Sequence, residues 1–153
     1  MDLEFGLAKS ADLPQLVELL RILFTDEVEF SPDPDKQKRG LEAILANPAV
    51  GKVYVAREGK RVAAMASLLF TISTAEGGKA AWFEDLVVLP EYRRQGIAEA
   101  MLKHVIAQAR AEGILRITLL TDMQNERAQA LYRRAGFVGS PMRPMRLKMK
   151  KIP

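Results

Sequence analysis

"LVVLPEYRRQGIAEAMLKHVIAQARAEGILRITLL", residues 86–120, decides how this chain is read. Its first four residues are apolar without alternation. Leu86 to Leu89 therefore predict a strand covered on both faces, hence central in a sheet. From Gly96 to Glu112 the period changes. Ala98, Met101, Leu102, Val105 and Ala109 recur at helical spacing, and Gly113 supplies the stop. "ILRITLL", 114–120, is a second strand of the apolar kind. A strand, a helix and a strand in that order predict a parallel, right-handed crossover.

The flanking sequence extends this unit on both sides. Residues 2–8 alternate Leu3, Phe5 and Leu7, the pattern of a half-buried strand. Ser10 or Asp12 then caps a helix carrying Leu13, Leu16, Val17, Leu20, Leu23 and Phe24. "TDEVEFSPDPD" breaks it with two prolines and five acids. A second helix is expected over 35–47, with Leu41, Ile44 and Leu45 on one face. "KVYVAREGKRVAAMASLLFTIS" reads as two strands joined at Glu58-Gly59, and "EGGKAAWFEDLVVL" as a turn and a third. Asn125 opens a last helix with Ala128, Leu131, Tyr132 and Ala135 inward, closed by Gly136. "FVGSPMRPMRLKMKK" is expected to form two short final strands, the second alternating Met145, Leu147 and Met149. The expected fold class is α/β: a mixed, mostly antiparallel central sheet, one parallel crossover, and helices on both faces. No repeat or linker divides residues 1–153, so one domain is expected.

Composition narrows the function. Hydrophobic residues make up 48% and charged residues 27%, as in soluble globular proteins. A net charge of +4 permits an anionic partner without demanding nucleic acid. A lysine-rich stripe with interleaved aromatics is missing, which argues against nucleic-acid binding. With no cysteine, disulfides, thiolate metal sites and a cysteine nucleophile are excluded. A single histidine gives a nucleophilic triad little support, and no cluster has metal-ligand spacing. No signal peptide or membrane-length apolar run is read, so a cytoplasmic location without membrane attachment is expected.

Arg93, Arg94, Gln95 and Gly96 stand where a helix begins, although that end already carries the positive end of the dipole. The free amides there favour an anion. Gly96 lets a bulky ligand approach the backbone, Ala98 keeps the next position small, and the arginines offer charge-assisted bonds to phosphate. The stretch reads as a pyrophosphate cradle or, more plainly, as a solvated basic turn. It is neither a Walker loop nor a dinucleotide fingerprint.

"RRQGIA", 93–98, taken with "NERAQALYRRAGF", 125–137, resembles the GNAT superfamily of acetyl-CoA-dependent N-acetyltransferases. The first matches that family's [Q/R]-x-x-G-x-[G/A] signature. The second matches its Asn, Tyr and Gly-Phe pattern at Asn125, Tyr132, Gly136 and Phe137. The resemblance spans nearly the whole chain in element order. It implies acetyl-CoA as cosubstrate, no metal, and an amine acceptor that is a small molecule or a peptide. It places the pyrophosphate on the amides of Arg93, Arg94, Gln95, Gly96, Ile97 and Ala98. The pantetheine arm then runs beside Leu86, Val87 and Val88, freed by a bulge, and bonds to Asn125. It makes Tyr132 the acid that protonates the leaving thiolate and Glu84 the base, directly or through water. An amide near Val87 or Val88 would stabilise the oxyanion. Strand alternation puts Glu84 on the face of Leu86 and Asp85 on the other.

An alternative on the same fold is a non-catalytic acyl-CoA-binding sensor or regulatory module. The acids Asp26, Glu27, Glu29, Asp33 and Asp35 would either attract a cationic acceptor or form a solvated loop. Trp82, Phe30 and Phe70 would line an acceptor pocket or pack in the core. His104 is expected at the surface. The basic tail from Arg143 to Lys151 is expected to edge the sheet, unless Met142, Met145 and Met149 reach a homodimer partner, as in other members of that superfamily.

Overall fold

The computed structural model describes residues 2–27 and 29–149. Five strands form one sheet in sequence order: β1 (Glu4–Leu7), β2 (Gly51–Glu58), β3 (Arg61–Ser73), β4 (Gly78–Val88) and β5 (Ile117–Leu119). The first four pair antiparallel; β5 joins β4 in parallel. Four α-helices stand among the described residues: α1 (Leu13–Asp26), α2 (Pro34–Leu45), α3 (Ile97–Ala111) and α4 (Glu126–Arg134). The expected α/β mixed sheet with a single β4–α3–β5 crossover is present.

Each face of the sheet has its own core. One core sets Leu16, Leu19, Leu20 and Leu41 of α1 and α2 against Val53, Val55, Val62, Met65 and Val87. The other sets Met101, Leu102, Val105 and Ala109 of α3 against Tyr54, Ala56, Ala64, Ala66, Leu68, Ala81, Phe83 and Val88. The alanines under α3 let that helix approach the strands closely, so its long side chains fill the space between. Val55 and Ala56, adjacent in sequence, serve opposite cores, as the two-residue strand period requires.

Four sequence expectations change. Asp12 stands before α1, but its carboxylate does not cap that helix. It accepts from the Lys9 N–H (2.7 Å) and holds the Arg57 guanidinium through both oxygens (2.7 and 2.6 Å), tying the helix start to β2. His104 is half-buried, with Phe5 and Tyr54 ring centroids 5.7 and 5.8 Å away. It faces the sheet because it lies one turn from Met101, on the inner side of α3. The predicted final strands do not form: residues 137–149 contain no strand. Pro141 and Pro144 remove two backbone donors there, and three-residue β5 is a short template to extend. Met142, Met145, Leu147 and Met149 are accordingly exposed, and Arg146 instead pairs with Glu29 and lies over the Phe30 ring. The edge role foreseen for Lys150 and Lys151 lies outside the described residues. Finally, the alternation that separated Glu84 from Asp85 fails, for the reason given next.

Candidate acyl-transfer site

The site begins where β4 loses a neighbour. β5 pairs with it only at Ala81, Trp82 and Phe83, opposite Ile117, Thr118 and Leu119. Beyond Phe83, residues 84–88 keep β3 on one side and lie open on the other. The same stretch carries a bulge. Ser67 pairs with Glu84 and Met65 with Val87, so Asp85 and Leu86 together oppose Ala66. Asp85 adopts φ 57°, the left-handed region that a non-glycine residue rarely occupies. Glu84 lies on the face of Ser67, whose β2 partner Val53 belongs to the α1–α2 core, whereas Leu86 packs with the α3 core. Glu84 and Leu86 are thus on opposite faces, contrary to simple alternation.

The bulge also orients the backbone. The Leu89 N–H donates to Ala63 of β3 (2.8 Å), so the alternating strand turns the Val88 N–H and C=O toward the open side. The Arg93 Nε donates to that Val88 carbonyl (3.1 Å). Arg93 is therefore folded back on the end of β4, whereas the side chain of Arg94 makes no hydrogen bond or ion pair among the described residues; both arginines are exposed.

The loop into α3 is built for close approach. Arg94 has φ 60° and Gly96 φ 75°, and a backbone alternating through left-handed positions turns successive N–H groups inward as a nest. Gly96 at the helix N-cap brings no side-chain cap, and the first α3 bond is Ala100 N–H to Gly96 C=O (3.1 Å). The amides of Ile97, Ala98 and Glu99 have no partner among the described residues. No atom lies within 4 Å of a Cβ built on Gly96, so the glycine faces space. Ile97 is buried and anchors the turn from below. These residues fit a pyrophosphate, and the open edge of β4 fits an amide-bearing arm.

Tyr132 of α4 closes the far side. Its ring lies edge-on to Phe83 (6.4 Å) and Phe137 (6.0 Å), across the gap from β4. Burial, and secondarily the nearby Glu27, hold its hydroxyl above the usual tyrosine pKa, so it keeps its proton at neutral pH. Asn125 does not reach outward with its oxygen: Oδ1 accepts from the Ala128 N–H (3.0 Å) and caps α4. Its two amide donors remain to bond a ligand.

Sequence reasoning named Glu27 and Glu84 separately and did not bring Asp85 into their environment. Asp85 is pushed up to about 7, chiefly by burial and then by Glu84 and Glu27. Glu27, just past α1, is raised by burial and then by Asp122 and Glu29. The signal for Asp85 was the pair Glu84-Asp85 itself, but only the bulge position says that both join one environment. Among the described residues, no three His, Cys, Asp or Glu side chains are grouped to hold a metal ion, and no helix is long and apolar enough to cross a membrane.

Residues 13–137 match the model of the acetyltransferase (GNAT) family. The chain is similar to a glucosamine 6-phosphate N-acetyltransferase of Trypanosoma brucei brucei, at 28% identity over 90% of each chain. It is equally similar, at 28% identity over 84% of this chain and 80% of the other, to a thialysine N-epsilon-acetyltransferase of Bos taurus. Among solved structures, a predicted acetyltransferase with acetyl-CoA from Clostridium acetobutylicum shares the fold, with a TM-score of 0.79, 22% identity and 96% of both chains covered. A free β4 edge running into a helix N-terminus without a side-chain cap is thus set in a chain whose family match covers both signatures: this protein belongs to the GNAT acetyltransferase family.

Proposed function

We propose that the protein moves acetyl from acetyl-CoA to a primary amine by direct transfer in a ternary complex. The observation that carries this reading is the continuous path from the unpaired edge of β4 to the nest at Arg94–Gly96, with Tyr132 opposite. The acceptors named for the two similar enzymes, glucosamine 6-phosphate and thialysine, are both amines, which supports the acceptor class.

Acetyl-CoA, when bound, supplies the activated acetyl group. The amides from Gln95 to Ala98 hold the pyrophosphate, with Arg94 adding charge. Arg93 stiffens the turn through Val88, and Leu86 to Val88 present backbone groups to the arm. The outward Val88 N–H is placed to stabilise negative charge developing on the carbonyl oxygen. Glu84, exposed and opposite Ser67, takes the proton of the acceptor ammonium directly or through water. Tyr132, protonated at neutral pH, holds the proton for the departing sulfur.

Calorimetric titration with acetyl-CoA, followed by thiol release over a panel of amines, tests the reading. Binding with release on one amine class is the expected result. Binding without release on any amine would favour the acyl-CoA sensor, and no binding would remove the cradle. Within the enzyme reading, Tyr132→Phe should lower kcat by about 10²-fold or more while acetyl-CoA affinity changes little. Equal activity would reduce Tyr132 to a packing residue.

A further inference from the structure

The nest at Arg94–Gly96 holds a conformation that its own residues do not favour. Arg94 has φ 60°, and a non-glycine residue stays in that region only where its surroundings fix it. Gly96 contributes no side-chain cap. The loop is instead anchored at its two ends. On the α3 side stands Ile97, 4% exposed in the core under the helix. On the β4 side stands Tyr92, 7% exposed in the same core, at the end of the single 3-10 turn Pro90–Tyr92.

Tyr92 does more than pack. Its hydroxyl donates to Oε1 of Glu58 (2.7 Å), the last residue of β2 and 34 positions earlier. The Arg61 guanidinium, at the start of β3, lies over the Tyr92 ring at 5.4 Å and pairs with Glu91 of the same turn. Both ties run from the 3-10 turn to one place, the β2–β3 hairpin, where Glu58 and Arg61 face each other. The backbone repeats the connection, since the Leu89 N–H donates to Ala63 of β3 (2.8 Å) where β4 ends. A hydroxyl bonded to a carboxylate is among the stronger side-chain hydrogen bonds. Filling the core does not call for it, because a phenyl ring would occupy the same space. Neither Glu58 nor Arg61 belongs to the nest or to the open edge of β4.

We propose that Tyr92 and Glu58 are positioning residues for the anion-binding nest. Their bond anchors the loop to the β2–β3 hairpin and so preorganises the amides of Gln95 to Ala98. The functional consequence rests on the acetyl-CoA reading of that nest. A loop ordered beforehand loses no freedom on binding, so the tie is expressed as affinity for the pyrophosphate-bearing ligand. Arg61 acts in the same sense through Glu91, but more weakly, because that pair is half-exposed.

Two readouts test this. NMR relaxation of the backbone amides in the free protein reads the loop without any ligand. In the wild type, Arg94, Gln95 and Gly96 should be rigid, with order parameters of about 0.85. Tyr92→Phe, which keeps the ring in the core, and Glu58→Ala, at an exposed position, should each bring them to about 0.6 or below, while residues 101–109 of α3 keep theirs. Glu58→Gln retains an acceptor for the hydroxyl and should restore most of the order. Calorimetry with acetyl-CoA should follow the same ranking: about tenfold weaker for Tyr92→Phe and Glu58→Ala, and within about twofold of wild type for Glu58→Gln. Unchanged loop order in Tyr92→Phe, a loss of order spread equally through α3, no difference between Glu58→Ala and Glu58→Gln, or a looser loop with unchanged affinity overturns the proposal. If the wild type binds no acetyl-CoA, the acetyl-CoA reading falls, and the order parameters alone then decide whether the tie holds the loop.

Discussion

Asp85 is the residue whose behaviour departs furthest from its type. Its carboxyl is pushed up to about 7, so between about pH 4 and pH 7 the folded state holds a proton that the unfolded chain has released. Stability therefore falls as pH rises through that window and levels off above it. Asp85→Asn removes the cost. It should raise stability above pH 7 by on the order of 1–4 kcal/mol and change little near pH 4. Chemical unfolding of both proteins at the two pH values checks the sign. Gly96 poses the opposite problem, because its φ of 75° penalises almost any side chain while the space above it is empty. Asn tolerates this conformation better than other residues. Gly96→Asn should keep stability within about 1 kcal/mol and weaken acetyl-CoA binding at least tenfold. Unchanged affinity in calorimetry would mean that the ligand does not lie over Gly96.

Among the elements, α3 bears on both stability and function. Its N-terminus forms the nest, and its inner face forms one wall of a core. Met101, Leu102 and Val105 are fully buried against the alanines of β2 and β3. Met101→Ala should cost about 2–5 kcal/mol in urea unfolding, because the sheet beneath offers only small side chains to collapse into the gap. A cost under about 1 kcal/mol would show that α3 repacks freely. The helix was readable beforehand because its apolar spacing is local. The same held for α1, α2, α4 and the hairpin at Glu58. The bulge in β4 was not readable to the residue: its place depends on which β4 residues pair with Met65 and Ser67 of β3. Nor was the Asp12–Arg57 pair, which joins residues 45 positions apart.

Across the whole molecule, a net charge of +4 conceals a divided cleft. One end offers free amides, a helix dipole and Arg94; the other offers Glu84 and Asp85, with Glu27 in their field. Saturating acetyl-CoA should raise stability by about 2.7 kcal/mol at a hundredfold excess over Kd. That gain should shrink on going from about 0.05 to 0.5 M salt, since the exposed arginine contribution is screened while the amide contacts persist. A thermal melt insensitive to salt would assign binding to the amides alone.

Local patterning carried much of this protein's identity. The apolar run at 86–89, the helical stripe of α3, the basic glycine turn at 93–98 and the helix from Asn125 to Gly136 are all properties of neighbouring residues, whose spacing survives without a fold. Other properties came into being only when distant strands were brought together. Asp85 entered the field of Glu27, Arg93 turned back onto Val88, Ser67 was buried opposite Glu84, and the Met-rich tail was left unpaired. Each depends on register, burial or a neighbour's electric field, and those arise from which segments meet in space.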